Sequence, residues 1–125
     1  MSVAIPILRI GPTLFASVQV DLHEQAAERF QTDVVSAIEK TRARGLLVDI
    51  TAIELVDTYV ARVLVETGRM AALMGVKTVL VGMQPQVAAT LVRMGFPTDG
   101  IHRTALDLDD GLRALGYALV PVAEG

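Results

Sequence analysis

The 125-residue chain contains no cysteine and no tryptophan, and aromatic residues make up only 4% of it. Without cysteine there is no disulfide framework, zinc ribbon, iron–sulfur site or thiol nucleophile. The shortage of aromatics argues against single-stranded nucleic-acid binding, which relies on stacking platforms. Charge of one sign is also lacking: eleven Lys and Arg stand against fourteen Asp and Glu, a net charge of −3. The densest basic group, Lys40, Arg42 and Arg44, reads as a helix end. It is not the basic stripe of a nucleic-acid binder. Long hydrophobic runs are missing too. The longest uncharged stretch, Thr78 to Val92, is interrupted by Gln84, Pro85 and Gln86 and is too short to span a bilayer. The opening MSVAIPILRIGP has no charged leader and is broken by Pro6, Arg9 and Pro12, so it does not read as a secretory signal. These absences lead us to expect a soluble, cytoplasmic protein.

Chemical motifs are equally scarce. His23 and His102 lie far apart, with no second ligand at metal-binding spacing. No G-x-S-x-G elbow is present, and Ser2, Ser17 and Ser36 have no evident base. Gly75-Val76-Lys77-Thr78 lacks the first glycine of a phosphate loop and precedes a strand instead of a helix. Asp107, Asp109, Asp110 and Gly111 do not continue into a calcium loop, because Ala118 stands where the bidentate Glu belongs. The first strand ends in Arg9-Ile10-Gly11, so it lacks the acidic pair of a phosphoacceptor receiver domain, and Asp49 alone reads as structural. No enzyme activity, cofactor or metal is expected.

What the chain does have is alternation. At 52% hydrophobic content, one domain of this size can bury roughly two-thirds of its unfolded surface. Ile5–Ile10 and Thr13–Val20 read as strands joined at Gly11-Pro12. A helix is predicted from about His23 to Arg44, with Ala26, Ala27, Phe30, Val34, Ala37 and Ile38 on one face. Asp21 and Glu24 lie near its start, and Gly45 is expected to cap its end. Leu46–Ile50 and Val76–Met83 read as buried central strands. Helices follow from Thr58 to Met74 and from Pro85 to Met94, closed by Gly75 and Gly95. After an extended IHRT comes a last helix, Asp107–Leu119, with Leu108, Leu112, Leu115 and Leu119 in register. The order β-β-α-β-α-β-α-β-α predicts an α/β fold: a mixed, mostly parallel sheet with an N-terminal hairpin and four helices. We expect a single domain over 1–125, its core spanning about 4–119, with Tyr117–Val122 packed into that core.

One constellation stands out, Val56-Asp57-Thr58-Tyr59-Val60, between a buried strand and a helix. Asp57 is a good N-cap, which places Thr58 in the first helical turn. Two readings are open. Asp-Thr is an ordinary helix start, or Thr58 is a modifiable hydroxyl whose phosphate would add about −1.5 to −2 charge to a partly apolar surface.

LLVDITAIELVDTYVARVL, MGVKTVLVGMQPQVAATLVRMGF and TALDLDDGL, with the opening IPILRIGPTLFASVQVDLHEQAAERFQ, resemble STAS domains of the anti-sigma-factor antagonist group. Within that group the likeness is to scaffold proteins of the bacterial stressosome, the RsbS type, and covers nearly the whole chain. The resemblance implies a non-catalytic scaffold that self-associates and co-assembles with RsbR-like co-antagonists. It also implies sequestration of an RsbT-like serine/threonine kinase, released when the scaffold is phosphorylated, and resetting by an RsbX-like phosphatase. The phosphoacceptor carries over to Thr58, with Asp57 as its neighbour. Such scaffolds usually have Ser here, and Thr is characteristic of RsbR paralogues, which carry an additional N-terminal sensor domain. The length of this chain favours the RsbS type. Thr90 occupies a place similar to a second RsbR acceptor, and also reads as an ordinary helix threonine. Two rival expectations are a free sporulation-type antagonist that binds an anti-sigma kinase directly, and a STAS module for a small ligand.

Overall fold

Residue alternation along the strands decides which helix covers which face of the sheet. The computed structural model describes residues 4–19, 22–95 and 97–123. The elements run β1 (Ile7–Ile10), β2 (Thr13–Ser17), α1 (Glu24–Thr41), β3 (Gly45–Asp49), α2 (Thr58–Leu73), β4 (Lys77–Val81), α3 (Pro85–Met94), β5 (Arg103–Ala105) and α4 (Leu108–Ala114). This is the order expected from the sequence. Ser2, Val20 and Asp21 lie outside the described residues.

The five strands form one sheet in the order β1-β2-β3-β4-β5. The β1–β2 pair is antiparallel and the other three pairs are parallel. Gly11 takes φ +57, the positive value a two-residue hairpin accepts from a glycine at its first turn position. Leu14, Ala16, Leu46, Val48 and Leu80 point to one face, where they meet Phe30, Val34 and Ile38 of α1 and Leu64 and Ala71 of α2. Leu47, Val79 and Val81 point to the other face and pack beneath Leu112 of α4. Two apolar layers of unequal size therefore sandwich the sheet.

Three expectations are corrected. Helix α1 stops at Thr41, and its cap is Arg42 in the left-handed region (φ 53) with its N–H on the Ile38 carbonyl. Gly45 is instead the first residue of β3, where a Cβ would collide with the Leu115 side chain. Helix α4 ends at Ala114, because Gly116 turns the chain at φ +92 and Tyr117 N–H bonds back to the Leu112 carbonyl at 2.9 Å. Leu119 therefore never joins the leucine stripe. The tail Tyr117–Val122 is not core: Leu119 is 56% exposed and Val122 92%.

Helix α2 is fixed at its far end by close backbone contact. A Cβ on Gly68 would lie 2.5 Å from the Gly100 carbonyl oxygen, and one on Gly100 would lie 2.6 Å from the Arg69 nitrogen. Arg69 Nη2 reaches Asp99 Oδ1 at 2.6 Å across the same junction. That ion pair and hydrogen bond hold the Asp99 carboxyl below the usual carboxylate range and raise the Arg69 guanidinium.

Candidate functional site

Parallel pairing of β3 with β4 sets Asp49 beside Val81 at the C-terminal end of the two strands. The chain leaves β3 there, crosses residues 50–57 and enters α2. Asp49 organises the start of this loop. Its Oδ1 accepts from Thr51 N–H at 2.9 Å and from Thr51 Oγ1 at 2.6 Å. Gln84 Nε2 donates to the Thr51 carbonyl at 2.8 Å. Gly82 lies against the loop at φ +74, and a Cβ there would overlap Thr51 Oγ1. Ile53 N–H bonds the Ile50 carbonyl at 3.0 Å, and the Ile53 side chain is buried in the larger core. The outer half of the loop carries Glu54 and Leu55 into solvent, Leu55 being 87% exposed.

Asp57 caps α2: its Oδ1 accepts from Val60 N–H at 2.8 Å, and its carbonyl accepts from Ala61 N–H at 3.0 Å. Thr58 is the first residue of the helix and is exposed. Among the described residues its hydroxyl makes no hydrogen bond, and the Asp57 carboxylate beside it is committed to the cap. The hydroxyl therefore lies on the exposed surface at the start of α2, beside the capping carboxylate. Tyr59 and Val60 turn inward and pack on the core. Partial burial, then the carboxylates Glu24, Glu28, Asp57 and Glu66, push the Tyr59 hydroxyl above its ordinary pKa.

A cleft of about 600 Å³ adjoins this helix start, with Leu22, His23, Ile53, Leu55, Asp57 and Val60 among its walls. His23 itself caps α1, its Nδ1 accepting from Ala26 N–H at 3.4 Å. His102 is exposed on the approach to β5. Among the described residues no cluster of three His, Asp or Glu side chains is placed to hold a metal ion.

Thr90 stands on α3, which follows β4 at the same C-terminal end of the strands that carries the 50–57 loop. It is half-buried; its Oγ1 donates to the Gln86 carbonyl at 2.8 Å and receives Arg93 Nη2 at 3.3 Å. The two threonines differ in kind: Thr58 is free, whereas Thr90 is engaged with its own helix. Sequence reasoning found the Asp57 cap and missed the clasp of Gly82, Gln84 and Thr51. The Gly82-x-Gln84-Pro85 run was its only visible trace.

The STAS domain family model matches residues 4–110. The chain belongs to the STAS domain family. Within it, the similarity is to stressosome proteins. RsbS of Moorella thermoacetica, solved as a serine-to-glutamate variant, is 38% identical, covers 90% of this chain and 94% of its own, and superposes with a TM-score of 0.78. A chain from the molecular architecture of the stressosome, described as a signal integration and transduction hub, is 39% identical over 89% of this chain and 96% of its own, with a TM-score of 0.77. Among curated relatives, the RsbT co-antagonist protein RsbRA of Bacillus subtilis is 32% identical over 71 residues. This chain spans about a quarter of RsbRA, the match covering 26% of that protein. No helix among the described residues is long and apolar enough to cross a membrane.

Proposed function

We propose that this protein is a non-catalytic scaffold of a cytoplasmic stressosome-type assembly, switched by phosphorylation of Thr58. The observation that carries this reading is the exposed, unbonded Thr58 hydroxyl at the first position of α2, behind a rigidly anchored loop that displays Leu55. The fold supplies the context. Proteins named for RsbS and the stressosome match about nine-tenths of the chain at 38–39% identity. A glutamate in place of a serine, as in the Moorella structure, puts a negative charge where a hydroxyl stood, and a phosphate does so more strongly.

The mechanism follows from local electrostatics. An unmodified surface of Leu55, Val56 and Thr58 can be covered by a kinase of the RsbT type at little desolvation cost. Phosphorylation puts a charge near −2 beside Asp57, and burying it under the same partner becomes unfavourable. The kinase leaves, and an RsbX-type phosphatase restores the first state. RsbR-like chains and further copies of this chain complete the shell. A second acceptor at Thr90 would require its bond to the Gln86 carbonyl to break first.

The test is incubation with the RsbT-type kinase and ATP, read by intact-protein and peptide mass spectrometry. One phosphate on wild type, at Thr58, and none on Thr58→Ala is expected. The Ala variant should keep the kinase bound in pull-down while Thr58→Glu releases it. Equal labelling of wild type and Thr58→Ala would refute the assignment.

A further inference from the structure

Thr58, Arg62, Glu66 and Arg69 form one exposed stripe along α2. Helical residues four apart are neighbours. In a helix the Cα–Cβ bond tilts toward the N-terminus, which brings the Thr58 position within reach of the Arg62 side chain. Arg69 is occupied by Asp99. Arg62 has no acidic partner within 4.0 Å among the described residues; the only ion pair on this helix is that of Arg69. Glu66, four residues beyond Arg62, stands in the less favourable order, because an acid followed by a base is the better i,i+4 arrangement. A phosphate on Thr58 would supply the acid on the favourable side. The carboxylates Glu24, Glu28, Asp57 and Glu66 act on the hydroxyl of the neighbouring Tyr59, and His23 of the α1 cap shares a cleft with Asp57 and Val60. The carboxylates repel a phosphate, and Arg62 is the cation one turn along the same exposed helix face as Thr58.

We infer that Arg62 is the receiver of the Thr58 phosphoryl group, binding it through its guanidinium fork and laying it along the outer face of α2. This rests on Thr58 being the modified residue. Arg62 is here a positioning residue: it takes no part in phosphoryl transfer and sets where the transferred group points. A planar fork suits phosphate geometry in a way a lysine ammonium does not.

The experiment installs phosphothreonine at position 58 of the full chain by genetic encoding, so it needs no kinase. The second phosphate ionisation is then followed by ³¹P NMR as pH is raised. Arg62 favours the dianion and lowers that pKa. Arg62→Gln should raise it by about 0.3 units, the equivalent of about 0.4 kcal/mol for an exposed i,i+4 pair. Arg62→Lys should give a smaller rise. Arg69→Gln removes the same charge about 16 Å along the axis from Thr58 and should leave the value unchanged. Equal values in wild type and Arg62→Gln, or equal rises in Arg62→Gln and Arg69→Gln, would overturn the inference. If the kinase fails to label Thr58 while the encoded phosphate still senses Arg62, the functional reading falls and the pairing stands.

Discussion

Replacing Gly82 with alanine should loosen the platform on which the Thr58 loop rests. Gly82 occupies φ +74 at the end of β4. An L-residue there costs about 1–2 kcal/mol. The new methyl would also overlap Thr51 Oγ1, which is held 2.6 Å from Asp49 Oδ1. Thr51 is exposed, so its side chain can swing away, at the loss of a hydrogen bond worth about 1 kcal/mol. The total is about 2–3 kcal/mol, a large share of the ~5–15 kcal/mol of a typical domain. Urea unfolding followed by far-UV circular dichroism should show the midpoint falling with an unchanged slope. Thr51→Ala in the same background separates the two parts. With the hydroxyl gone, Gly82→Ala should cost about 1 kcal/mol less than in wild type, a coupling that neighbouring sites show and distant ones do not. A Gly82→Ala cost under about 0.5 kcal/mol, within the range of ordinary surface substitutions, would refute the strain. Strict additivity with Thr51→Ala would refute the clash.

Other substitutions probe the helix start, the far junction and the tail. Asp57→Ala removes the cap on Val60 N–H and should cost about 1 kcal/mol in thermal or urea unfolding, while Asp57→Asn, which can still accept, should cost a few tenths. Asp99 has its pKa lowered by Arg69, so its contribution is present above the ordinary carboxylate pKa of about 3.9 and is lost as pH falls through the lowered value. The difference in urea midpoint between wild type and Asp99→Asn should therefore shrink to nothing as acid is added below that point. Leu119→Ser should change stability by less than about 0.5 kcal/mol, because the side chain is already exposed. A loss of 2 kcal/mol would return Leu119 to the core.

How much of this was legible in the sequence depends on the range of the forces involved. Leu46–Ile50 and the Ala26-to-Ile38 spacing carry their burial in local periodicity, and so the element order, hairpin and parallel sheet could be read directly. Asp57 announced itself as a cap through its place before a helical stripe. Arg42 did not, since a non-glycine residue at positive φ is rare and Gly45 lay near enough to attract the assignment. The end of α4 was missed because leucine spacing continued through Gly116, whose φ of +92 outweighs the pattern. The contact of Gly68 with Gly100 joins residues 32 apart and leaves no local mark. At the site, the identity of Thr58 was visible, whereas the freedom of its hydroxyl and the engagement of Thr90 needed coordinates.

The unequal layers on the two faces of the sheet have a dynamic consequence. On one side two long helices lock together. On the other, a helix of seven residues, Leu108–Ala114, shields Leu47, Val79 and Val81. The thinner cover has less to lose by opening than α1 and α2, so it should lift in excursions far short of global unfolding. Amide hydrogen exchange should then be faster across 110–114 than in the middle turns of α1 and α2. Each excursion would bare a strip of aliphatic side chains on the face opposite α1 and α2, leaving the layer that supports Thr58 in place.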